Sequence, residues 1–239
     1  MISDHGEMLG QQGARGKIVS WEESIRVPTL VYHPDLKDKK LCNSVISNID
    51  IVPTLLEFTG LSKSELRDKH PELKGNSYAE LVENVNYDNV RDKEGHLIHG
   101  VQIIPTVFEV AEKFRHTALA DGFLAKTKAF MSEGKFLPDF TPPLNYKGVV
   151  DKKHKFLRFF SPRQNNIPTN YDELTKYNAE YQLYDLENDP FEMNDLAKDE
   201  NNRKLLMSMN DKCNRLADKE IGLENHVIHL PGPDWFWTT

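Results

Sequence analysis

The chain has 239 residues, enough to bury a core in one large domain or two modest ones. With 38% hydrophobic and 28% charged residues it reads as a folded chain with a modest core under a heavily charged surface. A net charge of -7 argues against nucleic acid as a partner, and no apolar run approaches the roughly 20 residues that span a bilayer.

The first seventeen residues, MISDHGEMLGQQGARGK, hold the polar cluster that most needs a chemical explanation. Asp4 and His5 are adjacent, and Lys17 follows after a stretch carrying Gly6, Gly10, Gly13 and Gly16. Glycines at that density let the backbone turn tightly and bring the ammonium back toward the carboxylate. A carboxylate, an imidazole and a lysine gathered on such a turn suit a metal ion bound together with an anionic group. The plain alternative is a capped turn, with Asp4 taking backbone donors and His5 packing, and Lys17 solvated.

Beyond Lys17, residues 29–32 are apolar and β-branched between Pro28 and Pro34, which predicts a short buried strand. In NSVISNIDIVPTLLEFTGL, Asp50 is placed to cap a helix whose first turn holds Pro53, whose apolar face carries Leu55, Leu56 and Phe58, and which Gly60 ends. Strand, loop and helix in that order suggest the late part of an α/β sheet. Residues 62–74 read as a charged helix, and GNSYAELVEN as a loop and short helix. Residues 85–100 are polar and weakly patterned and carry no expected element. Residues 101–110 read as an edge strand or two short pieces because of Pro105. The prolines at 138, 142 and 143 mark a linker or a domain-edge loop.

Residues 147–160 predict a β-hairpin, whose Lys152, Lys153, His154, Lys155 and Arg158 either face an anion or keep an edge strand solvated. Tyr181, Leu183 and Tyr184 suit a third strand, with a tight turn at Asn188, Asp189 and Pro190. Leu205, Leu206, Met209, Cys213 and Leu216 recur at helical spacing, giving an amphipathic helix over residues 201–221 that covers a small sheet. The tail pair His226 and His229 lacks a third ligand, and Trp235, Phe236 and Trp237 are expected to pack the C-terminus down. Cys42 and Cys213 indicate neither a disulfide framework nor a zinc site.

Three of these stretches together resemble the sulfatase family of the alkaline phosphatase superfamily. They are SDHGEMLGQQGARGK followed by ESIRVPTLVYHP, then NIDIVPTLLEFTGL, then YQLYDLENDPFEMNDLA. The resemblance implies an α/β fold: the late part of an alkaline-phosphatase-like sheet with flanking helices in residues 1–145, then a small antiparallel sheet packed with a C-terminal helix in residues 146–239. It implies that Asp4 and His5 ligate a divalent cation, usually calcium, and that Lys17 binds the sulfate group. A hard cation takes carboxylate oxygen readily, whereas the imidazole is accepted on family grounds.

Two departures qualify the resemblance. Many relatives carry an acidic residue and a histidine where this sequence has Gln11 and Gln12, which leaves Gln12 to hydrogen-bond a substrate. The family's nucleophile, a formylglycine made in a Cys/Ser-x-Pro-x-Arg motif, has no counterpart: Cys42, Cys213 and Ser161-Pro162-Arg163 all fail the pattern. The expectation is therefore the C-terminal portion of a sulfatase, inactive alone, whose formylglycine and other metal ligands lie on a missing N-terminal half. The alternatives are a non-catalytic remnant or binding module of the same fold, and a phosphoester or phosphonate hydrolase of the same superfamily.

Overall fold

The computed structural model describes residues 1–17, 19–34, 40–101, 145–160, 167–177 and 180–222. The expected strand past Val101, the proline linker, Ser161-Pro162-Arg163 and the histidine and tryptophan tail lie outside the described residues.

The centre of the structure is a four-stranded antiparallel sheet in the order β1-β2-β3-β4: β1 (His96–Val101), β2 (Asn145–Val150), β3 (His154–Phe160) and β4 (Glu180–Asp185). The hairpin expected at 147–160 is β2 and β3, closed by the Asp151 carboxylate, which accepts the backbone N–H groups of Lys153 and His154, each at 2.9 Å. β1 lies within residues 1–145 and pairs with β2 from His96↔Val150 to Val101↔Asn145, so the sheet draws on both expected parts.

β3 reads HKFLRFF, with almost no polar alternation, because both of its faces are buried. On one face Val149, Phe156 and Leu183 pack against Leu174 of a helix at Tyr171–Tyr177 and against Leu206, Met209, Cys213 and Leu216 of the long helix Arg203–Glu220. That long helix is the amphipathic one expected at 201–221. On the other face Ile98, Tyr146, Val150, Leu157 and Phe159 meet Ile25 and Leu186.

Four short helices precede the sheet: α1 (Glu22–Ile25), α2 (Ile51–Phe58), α3 (Lys63–Lys69) and α4 (Ala79–Glu83), with α5 (Val90–Glu94) leading into β1. The helices at Tyr171–Tyr177 and Arg203–Glu220 are α6 and α7. Ser62 and Glu65 form a reciprocal capping box on α3. α2 runs where it was expected, but the side chain of Asp50 does not cap it. Its buried carboxylate accepts the N–H groups of Ser47 (2.9 Å) and Asn76 (2.7 Å) and both prongs of Arg91, Nε at 2.5 Å and Nη2 at 2.6 Å. Arg91 Nη1 reaches on to Glu220 at 3.0 Å, near the end of α7.

Residues 29–32 do not form a buried strand. Thr29 makes one isolated bridge with Ile2, while Leu30, Val31 and Tyr32 are exposed at 62%, 41% and 88%. The apolar pattern marks residues suited to burial, but burial needs covering strands, and among the described residues this run is paired only at Leu30, which exchanges backbone bonds with Met1 at 2.8 and 2.7 Å. Val52, Leu55 and Phe58 of α2 are exposed as well, and Phe58 stacks on His33.

His96, the first residue of β1, has its imidazole held down from 6.5 to about 4, chiefly by desolvation and next by the Arg91 cation. It is therefore neutral in the fold and binds its proton more readily when unfolded. Stability from this group is intact above pH ~6.5 and is lost as pH falls toward ~4, by roughly 3 kcal/mol in all. Denaturant titrations across that window should show the loss, and His96→Gln should flatten it.

Candidate metal and anion site

The N-terminal loop returns on itself through its own backbone bonds. Met8 N–H donates to Gly16 O and Gly10 N–H to Ala14 O, each at 2.9 Å, and Gly10 takes a φ of +101° that a side chain rarely tolerates. Met8 is fully buried beneath the loop and anchors it. The return places Lys17 Nζ 2.5 Å from His5 Nε2, which lies 3.5 Å from Asp4 Oδ2. The three residues singled out from the sequence thus stand together.

Their hydrogen bonds define a polarity. His5 Nδ1 is 2.7 Å from the carbonyl of Gly6, which can only accept, so Nδ1 carries the proton. In the neutral imidazole Nε2 is then the lone-pair nitrogen, and it faces the Lys17 ammonium and the Asp4 carboxylate. Asp4 Oδ1 accepts the backbone N–H of His5 at 3.1 Å, and Asn48 Nδ2 donates to the carbonyls of Ser3 (3.3 Å) and Asp4 (3.4 Å). Asp4 keeps 87% of its side chain exposed and His5 37%.

This donor set fits a cation. Histidines that ligate metals commonly donate the other ring N–H to a carbonyl, which fixes the tautomer, and the Gly6 carbonyl does that here. Among the described residues no further histidine, cysteine or acidic side chain completes a group of three, so the chain offers a carboxylate and one imidazole nitrogen.

The loop is held from behind by α1. Gly6 N–H donates to Ser24 O at 2.7 Å, and Glu23 O lies 2.0 Å from where a Cβ on Gly6 would stand. Gln12, free in sequence terms to meet a substrate, instead donates to Phe191 O at 2.6 Å and contacts Met193 Sδ at 3.3 Å.

The basic hairpin residues neither face an anion nor stand merely in solvent. Lys152 pairs with Asp92 (2.9 Å), Lys153 with Glu187 (3.1 Å), and the fully buried Arg158 donates to Asn210 (2.6 Å) and Asn214 (2.8 Å). Lys155 has no exposure and pairs with Glu192 at 2.6 Å and Glu22 at 3.3 Å, while Glu192 Oε2 accepts the N–H of Glu22 at 2.7 Å. Burial pushes the Glu192 carboxyl above its usual range. Sequence reading missed this cluster because its members lie on three separate stretches; a lysine inside an otherwise apolar strand was the available signal.

The fold is alkaline-phosphatase-like. The yidJ protein of Bacteroides fragilis superposes on 96% of this chain and 37% of its own, with a TM-score of 0.60 at 20% identity. The phosphonate monoester hydrolase of Agrobacterium radiobacter does so over 92% of this chain and 34% of its own, with a TM-score of 0.56 at 20% identity. The sulfatase family model matches residues 1–61. The ulvan-active sulfatase of Formosa agariphila is 41% identical over 86 residues, 34% of this chain and 16% of that protein. The likeness to sulfatases in sequence is concentrated in the N-terminal part of the chain, and the chain spans 16% of that relative and about a third of the solved structures it superposes on.

With no room for a Cβ between Gly6 and Glu23 O, Gly6→Ala must displace α1 or the loop. Overpacking of this kind costs about 1–3 kcal/mol. Thermal unfolding should register that loss, and the His5 side-chain signals in NMR should shift as the Gly6 carbonyl moves.

Proposed function

We propose that this chain supplies Asp4 and His5 as two ligands of a divalent cation, calcium on family grounds, and Lys17 as the ligand of the sulfate group, in the hydrolysis of sulfate esters. The observation that carries the reading is the locked His5 tautomer, which turns the Nε2 lone pair toward Asp4 and a positive charge. The bound cation would neutralise charge on the sulfuryl oxygens and the attacked centre. Asp4 and His5 would hold it, and Lys17 would orient the anion and stabilise the charge that grows on it during transfer. His5 Nε2 cannot serve the ammonium and a cation at once, so cation binding frees Lys17 for the anion. The nucleophile, a formylglycine, and the remaining metal ligands are proposed to come from an N-terminal α/β segment, because none of Cys42, Cys213 and Ser161-Pro162-Arg163 matches the Cys/Ser-x-Pro-x-Arg pattern. The site belongs to the part at 1–145, and the part at 146–239 supports it.

A phosphoester or phosphonate substrate is the second reading, favoured by the shared fold of the phosphonate monoester hydrolase. Mixing this chain with a separately expressed N-terminal sulfatase segment that carries the nucleophile should restore arylsulfate hydrolysis. Asp4→Ala should lower that activity at least a hundredfold, by the size of effect typical for loss of one electrostatic contributor. A soluble, assembled pair without activity on the sulfate overturns the sulfatase reading, and turnover of the matched aryl phosphate instead selects the second.

A further inference from the structure

We propose that the buried cluster of Lys155, Glu22 and Glu192 positions the Asp4–His5 pair, acting as a clamp by which the C-terminal sheet fixes the short helix that carries the ligand loop. This rests on the reading of Asp4 and His5 as cation ligands and names the positioning residues of that same site.

The connection runs through direct contacts at every step. Lys155, on β3, is fully buried and its ammonium bridges Glu192 Oε1 at 2.6 Å and Glu22 Oε1 at 3.3 Å. The other Glu192 oxygen accepts the Glu22 backbone N–H at 2.7 Å, so Glu22 is held by main chain and side chain together. Glu22 opens α1, a single four-residue turn too short to persist by its own hydrogen bonds. From α1, Ser24 O takes the N–H of Gly6 while Glu23 O sits against the Gly6 Cα with no space for a Cβ. The carbonyl of Gly6 in turn fixes His5 Nδ1. There is no slack along this path, so displacement of α1 is passed to the imidazole.

Glu192 reaches its place in a strained conformation, with φ at +54° for a residue other than glycine. Its neighbours Phe191 and Met193 receive Gln12 from the far side of the same loop, so the turn that carries Glu192 grips the loop at two points. The three clamp residues belong to stretches read separately in the sequence: WEES, the basic hairpin, and DPFEMN. None of the three is a ligand; they act through Gly6.

Backbone amide exchange measured by NMR on the whole chain, without added cation, tests the clamp. Lys155→Met should speed exchange of the Gly6 and Ile25 amides roughly tenfold or more relative to the ladder amides of Val149 and Phe156. Leu206→Ala, which opens the core between the sheet and α7, should not single out Gly6, and Lys155→Arg should keep more protection at Gly6 than Lys155→Met. Exchange at Gly6 that moves in step with the ladder amides in Lys155→Met overturns the proposal, because the cluster then only stabilises the sheet. If Lys155→Met does not fold, Glu22→Gln carries the same comparison: faster exchange at Gly6 supports the clamp, and unchanged exchange overturns it. The readout needs no metal or substrate, so failure of the clamp is distinct from failure of the hydrolysis assay.

Discussion

A lysine ammonium with no solvent contact must be answered by carboxylates, and the way Lys155 is answered sets how the N-terminal segment sits on the sheet. The apolar core cannot do this alone. Its two clusters are built largely from the sheet and the helices packed on it, whereas the first 94 residues bury few large apolar side chains, Met8, Leu66, Tyr78 and Leu81 among them. Hydrophobic contact is non-directional, so so thin an interior would leave the loop of Asp4 and His5 poorly oriented. Directional ion pairs supply the orientation. Lys155 ties β3 to α1, and Arg91 ties the Asp50 turn and α5 to Glu220 of α7. Burying these charges carries a desolvation cost, and an apolar replacement of equal volume can be as stable. What such a replacement lacks is the fixed geometry of a bidentate guanidinium or of a carboxylate that also accepts a backbone N–H.

Much of the architecture was legible in the residues for reasons of period. The run Leu205 to Leu216 keeps helical spacing over an element long enough to show it, and the β2–β3 hairpin is two β-rich runs about a polar turn. β1 was not legible, because HLIHGV mixes two histidines and a glycine into six residues and takes its strand character from pairing with β2. Gly100 in that strand leaves room for the ring of Tyr146, whose Cζ would stand 2.1 Å from a Cβ there, which is a tertiary reason no local pattern can display. Asp50 shows the same limit. Its place before α2 suggests a cap, yet Arg91, 41 positions on, competes for the carboxylate with a charge-assisted fork.

The candidate site was legible in its members but not in its support. Asp4, His5 and Lys17 were found by residue type and by glycines that permit a return, both local properties. Glu22, Lys155 and Glu192 were not, because each is ordinary where it stands: an acid at a helix start, a lysine in a basic hairpin, a glutamate in a polar turn. Only the fold makes them one object. The basic hairpin shows why charge runs mislead here, since each cation is matched by an acidic or amide partner contributed from elsewhere in the chain.

The geometry of Nε2 links metal and anion binding in the proposed chemistry. A ring nitrogen has one lone pair, and here it meets the Lys17 ammonium at 2.5 Å while Asp4 waits 3.5 Å away. Two positive species compete for that pair and that carboxylate. On the proposed reading Lys17 stands as an internal counter-ion to Asp4 beside the lone pair of His5, and a divalent cation held by Asp4 and His5 would displace it by charge repulsion as well as by loss of its acceptor. The ammonium so released would stay tethered within the loop, where Lys17 would be available to hold the anion. Because a calcium-sized cation takes about six to eight donors, Asp4 and His5 as its ligands would leave most of the coordination shell for other groups. Asp4 stands two residues beyond the Ile2–Thr29 bridge, on the side away from Leu30, which exchanges backbone bonds with Met1 at 2.8 and 2.7 Å.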